Sequence, residues 1–254
     1  MKVSIITVVF DSVNTVRDAL LSVADQDHDD IEHIVIDGAS TDGSVAVIRQ
    51  NSNRVAHFVS EPDQGIYDAM NKGLRLASGD IIGFLNSDDV YANRSVVSKI
   101  VSAFQQKGSE DLEAVYADLI YLDSLSDTKI RRRWMSRHYV AGLCFKGWMP
   151  AHPTLYIKSQ KFREIGFFNT SLGNQADLEF CARAFELHNM SSLYFSEIWV
   201  WMRTGGASQS SIRSMIKSNW RSYRALRHLG MKRDPISYFL IKFGSKLPQF
   251  FTKS

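Results

Sequence analysis

Short apolar runs alternate with stretches of helical periodicity through the first ninety residues. Residues 3–10 read as a strand and 15–24 as a helix. Ile31–Asp37 is a second strand, Ser44–Gln50 a helix, and Val55–Ser60 a third strand. In the next helix, over 66–77, Ile66, Ala69, Met70, Gly73, Leu74 and Ala77 recur at helical spacing and define a buried face. Asp68, Asn71, Lys72 and Arg75 occupy the other side. A strand over 80–86 and a helix over 95–104 follow. Regular alternation with nearly continuous apolar strands predicts an α/β fold, a mostly parallel sheet flanked by helices. The second half is less regular. Ala114–Leu122, 154–157 and 193–202 read as strands and 176–187 as a helix. From residue 212 onward the pattern is helical and basic.

Ligands of parallel sheets sit in the crevice beyond the carboxyl ends of the strands, and the polar clusters fall there. The first is Asp37-Gly-Ala-Ser-Thr-Asp-Gly-Ser44. Its glycines have phosphate-loop spacing, but Ser44 stands where that loop requires lysine, so nucleotide triphosphate hydrolysis is unsupported. Taken alone, the segment is better read as a plain turn capping the next helix through Thr41 or Asp42. The second is Ser60-Glu-Pro-Asp-Gln-Gly-Ile-Tyr-Asp-Ala-Met-Asn-Lys-Gly73, which opens a helix at Gly65 and so offers a place for phosphate. Asn71 and Lys72 would then be donors, or simply part of a solvated face. The third is Phe84-Leu-Asn-Ser-Asp-Asp89. Two adjacent carboxylates at a buried strand end cost stability unless a cation faces them, and a hard divalent ion, Mg²⁺ or Mn²⁺, suits such oxygens. The alternative is a helix cap.

Composition narrows the classes. The chain is 44% hydrophobic and 22% charged, with two distant cysteines, Cys144 and Cys181, in no metal-like spacing. No GxGxxG follows a strand. The opening MKVSIITVVFDS lacks a cleavage-site pattern, and no apolar run has spanning length, so a cytoplasmic location is the expectation and the sequons at Asn93 and Asn169 carry no weight. The net charge of +3 conceals a division. Residues 212–254 carry ten Lys/Arg against one acid, a net of +9, whereas the preceding residues have 20 basic and 26 acidic side chains, a net of −6.

Taken together, SIITVVF, IDGASTDGS, SEPDQGIYDAMNKG and ASGDIIGFLNSDD resemble the successive motifs of family 2 glycosyltransferases with the GT-A fold. The likeness is strongest to bacterial exopolysaccharide and O-antigen enzymes and covers roughly residues 1–210, leaving 211–254 as a basic helical extension. It implies a nucleotide-diphosphate sugar donor, a divalent metal (Mn²⁺ or Mg²⁺), and an inverting transfer to a saccharide or lipid-linked saccharide acceptor.

The resemblance also implies roles. Val8, Phe10 and Asp37 would flank the nucleobase, with Asp37 accepting a base N–H as the partner a buried carboxylate needs. Gly65, Asp68, Asn71, Lys72 and Ser87 would face the nucleotide and its phosphates. Asp88 and Asp89 would hold the metal, with Asp89 the direct ligand. Asn86 replaces the acid many relatives have first in this motif, a departure that weakens metal affinity. Ile165-Gly-Phe-Phe-Asn169 precedes Asp177, the expected base, with Glu179 in reserve. His152 would contact donor phosphate or metal, or be a satisfied structural histidine. Gly205 and Gly206 match a loop that closes over the donor. The QxxRW signature of processive synthases is absent. Two rivals remain: a sugar-phosphate nucleotidyltransferase, which would want a Gly-rich basic loop after the first strand, and a non-catalytic donor-binding or scaffold protein.

The tail carries a stripe of Ile212, Met215, Ile216, Trp220, Tyr223 and Leu226 beside one of Arg213, Lys217, Arg221, Arg224 and Arg227. Such faces suit an anionic membrane surface, which would make the protein peripheral on the inner face of the cell membrane. A helix packed on the domain with its basic residues in water is the alternative. No nucleic-acid reader motif accompanies the charge.

Overall fold

Four parallel strands form the half of the sheet that positions the site. In the computed structural model, which describes residues 1–125, 130–204 and 212–244, these are β1 (Val3–Val9), β2 (Ile31–Asp37), β3 (Val55–Ser60) and β4 (Ile81–Phe84). They lie in the order β3-β2-β1-β4, each neighbouring pair parallel, so all four carboxyl ends share one edge. β1 and β4 are buried throughout, which is why they read as continuous apolar runs. The connecting helices are α1 (Val16–Ala24), α2 (Ser44–Gln50) and α3 (Ile66–Leu76).

Beyond β4 the sheet turns mixed. β5 (Asp89–Tyr91), α4 (Val96–Gln105), β6 (Ala114–Leu122), β7 (Ile130–Trp134), β8 (Tyr156–Lys158), α5 (Ser159–Ile165), α6 (Ala176–Ala182) and β9 (Ser192–Arg203) follow. β8 runs antiparallel to β4 and β6, and β5 antiparallel to β9, while β6 and β9 are parallel. The strand expected at 154–157 begins later, because His152–Thr154 is a 3-10 turn. The helix expected over 176–187 changes to a π-turn at Arg183–Leu187. Pairing of Ile82 with Ile157 brings the 3-10 turn to the carboxyl end of β4.

Two helices, α7 (Ile212–His228) and α8 (Pro235–Gly244), close the described chain. Leu226, Met231 and Tyr238 belong to the same apolar core as Ile6, Ile36, Phe84 and Phe180. At its described positions the stripe anticipated for a membrane is therefore largely turned inward: Leu226 is buried and Tyr223 half-buried, and only Trp220 stands out. The side chains of Ile212, Met215, Ile216, Arg213 and Lys217 lie outside the described residues. No described helix is long and apolar enough to cross a membrane.

Candidate active site

At the end of β1, Val8 is a core side chain, so only Phe10, 65% exposed, presents a surface at this edge. Gly38 lies against it: a Cβ there would meet Phe10 at 3.1 Å and the Asp63 carboxylate at 2.5 Å. Asp37 needs no outside donor, contrary to the argument for a base N–H. Its carboxylate already accepts from Ser40 N (3.1 Å), Ser40 Oγ (2.5 Å) and Ser60 Oγ (2.7 Å). These bonds pin the β2 and β3 ends together, and any ligand contact is a second use of the group.

Gly65 opens α3 with φ +110°, a backbone that side chains rarely adopt, and no atom of the described residues lies within 4 Å of where its Cβ would be. The helix N-terminus is thus open for close approach. Asp68 accepts from the Gln64 amide (3.1 Å), and Lys72 is half-buried, with Nζ 2.7 Å from the Pro62 carbonyl and 2.8 Å from Glu61. The expected faces of α3 need two corrections. Ile66 is exposed, because it precedes the part of the helix that meets the sheet. Asn71 is buried, not a ligand donor: Nδ2 donates to the Phe168 carbonyl (2.9 Å) and Oδ1 accepts from the Phe168 amide (3.0 Å). It clips α3 to the loop leading into α6.

The Asn86–Asp89 turn caps β4 and starts β5. Ser87 donates to Ser12 at 2.9 Å, tying the turn to the loop after β1. Asn86 Nδ2 donates to Asp89 Oδ2 (2.9 Å), while Asn86 Oδ1 and Asp89 Oδ1 are buried without a partner among the described residues. Burial raises the pKa of Asp88, and raises that of Asp89 well above the usual range, with the charge of Asp88 adding to it. The cation facing them, missed in the sequence, is Arg203 at the end of β9. Asp89 pairs with Met202 in the β5–β9 register, and Arg203 acts electrostatically on both carboxylates while bonding to Asp18. Among the described residues Arg203 is the cation that acts on both carboxylates, and it is shared with Asp18, so the turn carries excess negative charge. Among the described residues no group of three or more His, Cys, Asp or Glu gathers as a metal centre. Two carboxylates and an amide with orphaned oxygens nonetheless fit a hard cation whose other ligands are phosphates.

His152 stacks on Phe84 (centroids 5.1 Å apart) and meets Phe168 edge-on (5.7 Å). Neither ring nitrogen has a partner among the described residues, and burial lowers its pKa to about 4. It is neutral and not a satisfied structural histidine. Asp177 sits in the first turn of α6, where Oδ1 accepts from the Leu178 amide at 2.7 Å and the Tyr67 hydroxyl also bonds to the carboxylate. Burial raises its pKa to about 6, against the opposing effects of these bonds and the charge of Lys242. Glu179 is unsuited to the reserve role, since Arg183 holds both its oxygens at 2.7 and 3.0 Å. Tyr67, although inside the motif over 60–73, has no role assigned from the sequence, and Lys242 lies far from every motif. Gly205 and Gly206 lie outside the described residues.

The edge therefore combines an open helix N-terminus, an acidic turn with unfilled oxygens, and a carboxyl group poised to take up a proton near neutral pH. A family model described as Glycosyl transferase family 2 matches residues 4–168. An uncharacterized glycosyltransferase of Mycobacterium tuberculosis is 36% identical over 185 residues, 72% of this chain and 68% of that protein. A PGL/p-HBAD biosynthesis glycosyltransferase of Mycobacterium bovis is 29% identical over 167 residues, 65% of this chain and 62% of that one. Among solved structures, S. aureus TarS 1-349 in complex with UDP-GlcNAc aligns over 100% of this chain and 74% of its own, with a TM-score of 0.69 and 17% identity. In a longer TarS structure the chain spans only 44%. The mannosyltransferase PcManGT from Pyrobaculum calidifontis, in complex with GDP-Man and Mn2+, aligns over 98% of this chain and 81% of its own, with a TM-score of 0.60 and 15% identity.

Proposed function

The chain belongs to glycosyl transferase family 2, and we propose that it is an inverting, metal-assisted enzyme that moves one sugar from a nucleotide-diphosphate donor to a hydroxyl of a lipid-linked saccharide in bacterial surface polysaccharide synthesis. Its fold is that of GT-A glycosyltransferases. The observation that carries the mechanistic reading is Asp177: a carboxyl group raised to about 6, at the edge that also bears Gly65 and the Asn86–Asp89 turn.

In this reading Phe10 and the Asp37 loop flank the nucleobase, and the α3 N-terminus with Lys72 receives phosphate. Asp88, Asp89 and the Asn86 carbonyl would hold the Mn²⁺ or Mg²⁺ ion, which when bound offsets charge on the departing diphosphate. The acceptor hydroxyl attacks the anomeric carbon opposite the nucleotide. The C–O bond to the diphosphate breaks, and Asp177 takes the hydroxyl proton. Arg203 offsets part of the charge of Asp88 and Asp89. His152, neutral and with free ring nitrogens, is aligned by Phe84 to contact donor or metal. The relative in complex with Mn2+ and the unfilled oxygens of the turn support the metal.

A lipid-linked acceptor calls for access to a membrane. We place that contact on the outer face of α7 and α8, where Trp220, Ile236 and Leu240 are exposed beside Arg221, Arg224 and Lys232. The deciding experiment is a screen of UDP-, GDP- and dTDP-sugars for binding and turnover, with and without Mn²⁺, using wild type, Asp177→Asn and Asp89→Ala. Turnover unaffected by either substitution overturns the assignment, and donor binding without turnover in wild type favours a non-catalytic role.

A further inference from the structure

The last described helix ends in a buried charge. Arg221, Arg224, Arg227 and Lys232 of the basic tail are in solvent, but Lys242 is 8% exposed. An ammonium group is costly to bury without partners, and Lys242 has them. Nζ donates to Ser222 Oγ at 3.1 Å, and Ser222, itself buried, donates to Gln175 Oε1. Gln175 is the N-cap of α6, the helix whose second residue is Asp177. The body of the protein is shaped to admit the lysine. Gly147 has φ +79°, and a Cβ there would meet Lys242 Cδ at 3.0 Å and Cγ at 3.1 Å. The Tyr238 ring lies under the ammonium, 5.5 Å from centroid to Nζ.

We propose that Lys242 is a positioning residue of the transfer reaction: through Ser222 and Gln175 it braces the first turn of α6, and it turns a fixed positive charge toward Asp177. The C-terminal extension then completes the active site as well as covering the core. This rests on the reading of Asp177 as the base. The groups that bear on Asp177 are Tyr67 from α3, Lys242 from α8 and Cys181 along α6. Arg221 of α7 lies beside Gly173 in the preceding turn, and Glu179 and Arg183 of α6 and the π-turn pair with each other. Against burial, the Leu178 amide and the Tyr67 hydroxyl lower the Asp177 pKa most, and Lys242 is the cationic group that adds to them.

The test is a carbon-13 NMR titration of the Asp177 carboxyl in the full chain, its resonance assigned by its loss in Asp177→Asn. The wild-type midpoint is expected at about 6. In Lys242→Met it should move to higher pH by about half a unit or more, and in Lys242→Arg, which keeps the charge, it should stay. Lys242→Gln, which keeps a donor for Ser222, replaces Lys242→Met if that variant does not fold. An unmoved midpoint in the neutral variant overturns the role of Lys242. Sugar-nucleotide turnover retained in Asp177→Asn would instead overturn the reading of the base, so the two failures are distinct.

Discussion

The hydroxyl of Tyr67, in the first turn of α3, lies against the carboxyl of Asp177, in the first turn of α6, and favours its ionised form. It joins the helix that opens at the nucleotide edge to the helix that carries the proposed base. A donor to the ionised carboxylate stabilises that form, so Tyr67→Phe should raise the Asp177 pKa. The acid limb of the kcat/KM profile should then move to higher pH, with a loss of about threefold at pH 6 and little at pH 8.5. A uniform loss across pH would mean that Tyr67 only packs.

As the proposed base, Asp177 should set the pH dependence of the unmodified enzyme. A base must be ionised to accept a proton, and burial raises this one to about 6. Transfer is therefore expected to rise with pH through about 6 and then level. Asp177→Asn has no proton acceptor and should lose about 10²–10⁴ in kcat at every pH, with donor binding retained. Steady-state rates between pH 5 and 9, beside calorimetric donor binding, check both halves.

The Asn86–Asp89 turn makes a prediction of opposite sign with and without metal. Asn86→Asp removes the amide bond to Asp89 Oδ2 and adds a third carboxylate beside two whose ionisation burial already resists. Without a divalent ion the variant should be less stable by about 2 kcal/mol. With Mn²⁺ it should bind the ion roughly tenfold more tightly, since carboxylate count tunes affinity for hard cations. Melting curves with EDTA and across a Mn²⁺ titration read both effects. A Tm gain from Mn²⁺ no larger than in wild type would put the metal elsewhere.

Asn71 shows what sequence periodicity can and cannot carry. Ala69, Met70, Gly73 and Leu74 were legible as a buried face because that face meets the sheet, but Asn71 is buried by a different neighbour, the Phe168 backbone, which no local pattern announces. The parallel strands were legible for a similar reason, being covered on both sides and hence continuously apolar. β7, Ile-Arg-Arg-Arg-Trp, is a partly exposed edge strand whose charge hides it, and β5 is three residues long. The acidic turn and Asp177 were singled out through motifs. Arg203, Tyr67 and Lys242 reach the site from distant elements, so only the fold brings them to it.

The Asn71 clip has a measurable consequence. Asn71→Leu should leave the Phe168 amide and carbonyl buried without partners, at about 1–3 kcal/mol for each unsatisfied group. It should also loosen the loop that positions Asp177, so kcat should fall more than donor affinity. Asn71→Asp keeps the acceptor for the Phe168 amide but sets a carboxylate oxygen against the Phe168 carbonyl, and should be no better. A stable Asn71→Leu protein with normal kcat would show that α3 and the α6 loop are held together by packing of Tyr67 on Phe168 alone, whose rings lie 5.3 Å apart.

Membrane contact through α7 and α8 depends on side chains that the core does not use. Ile236 and Leu240 are 72% and 70% exposed and lie one turn apart on α8, and Trp220 stands next to Phe239 across the helix pair. Burying such side chains in a bilayer interface is favourable, and each arginine or lysine near an anionic surface adds about 1 kcal/mol. The core-facing residues Leu226 and Tyr238 are not available for this, so the predicted contact is shallow and reversible. Ile236→Ser with Leu240→Ser should sharply reduce co-sedimentation with phosphatidylglycerol vesicles without lowering Tm. Arg221→Gln with Arg224→Gln should weaken it and reduce its salt sensitivity. Wild-type protein that ignores the vesicles at low salt would exclude this face, and the exposed apolar side chains would then need another partner.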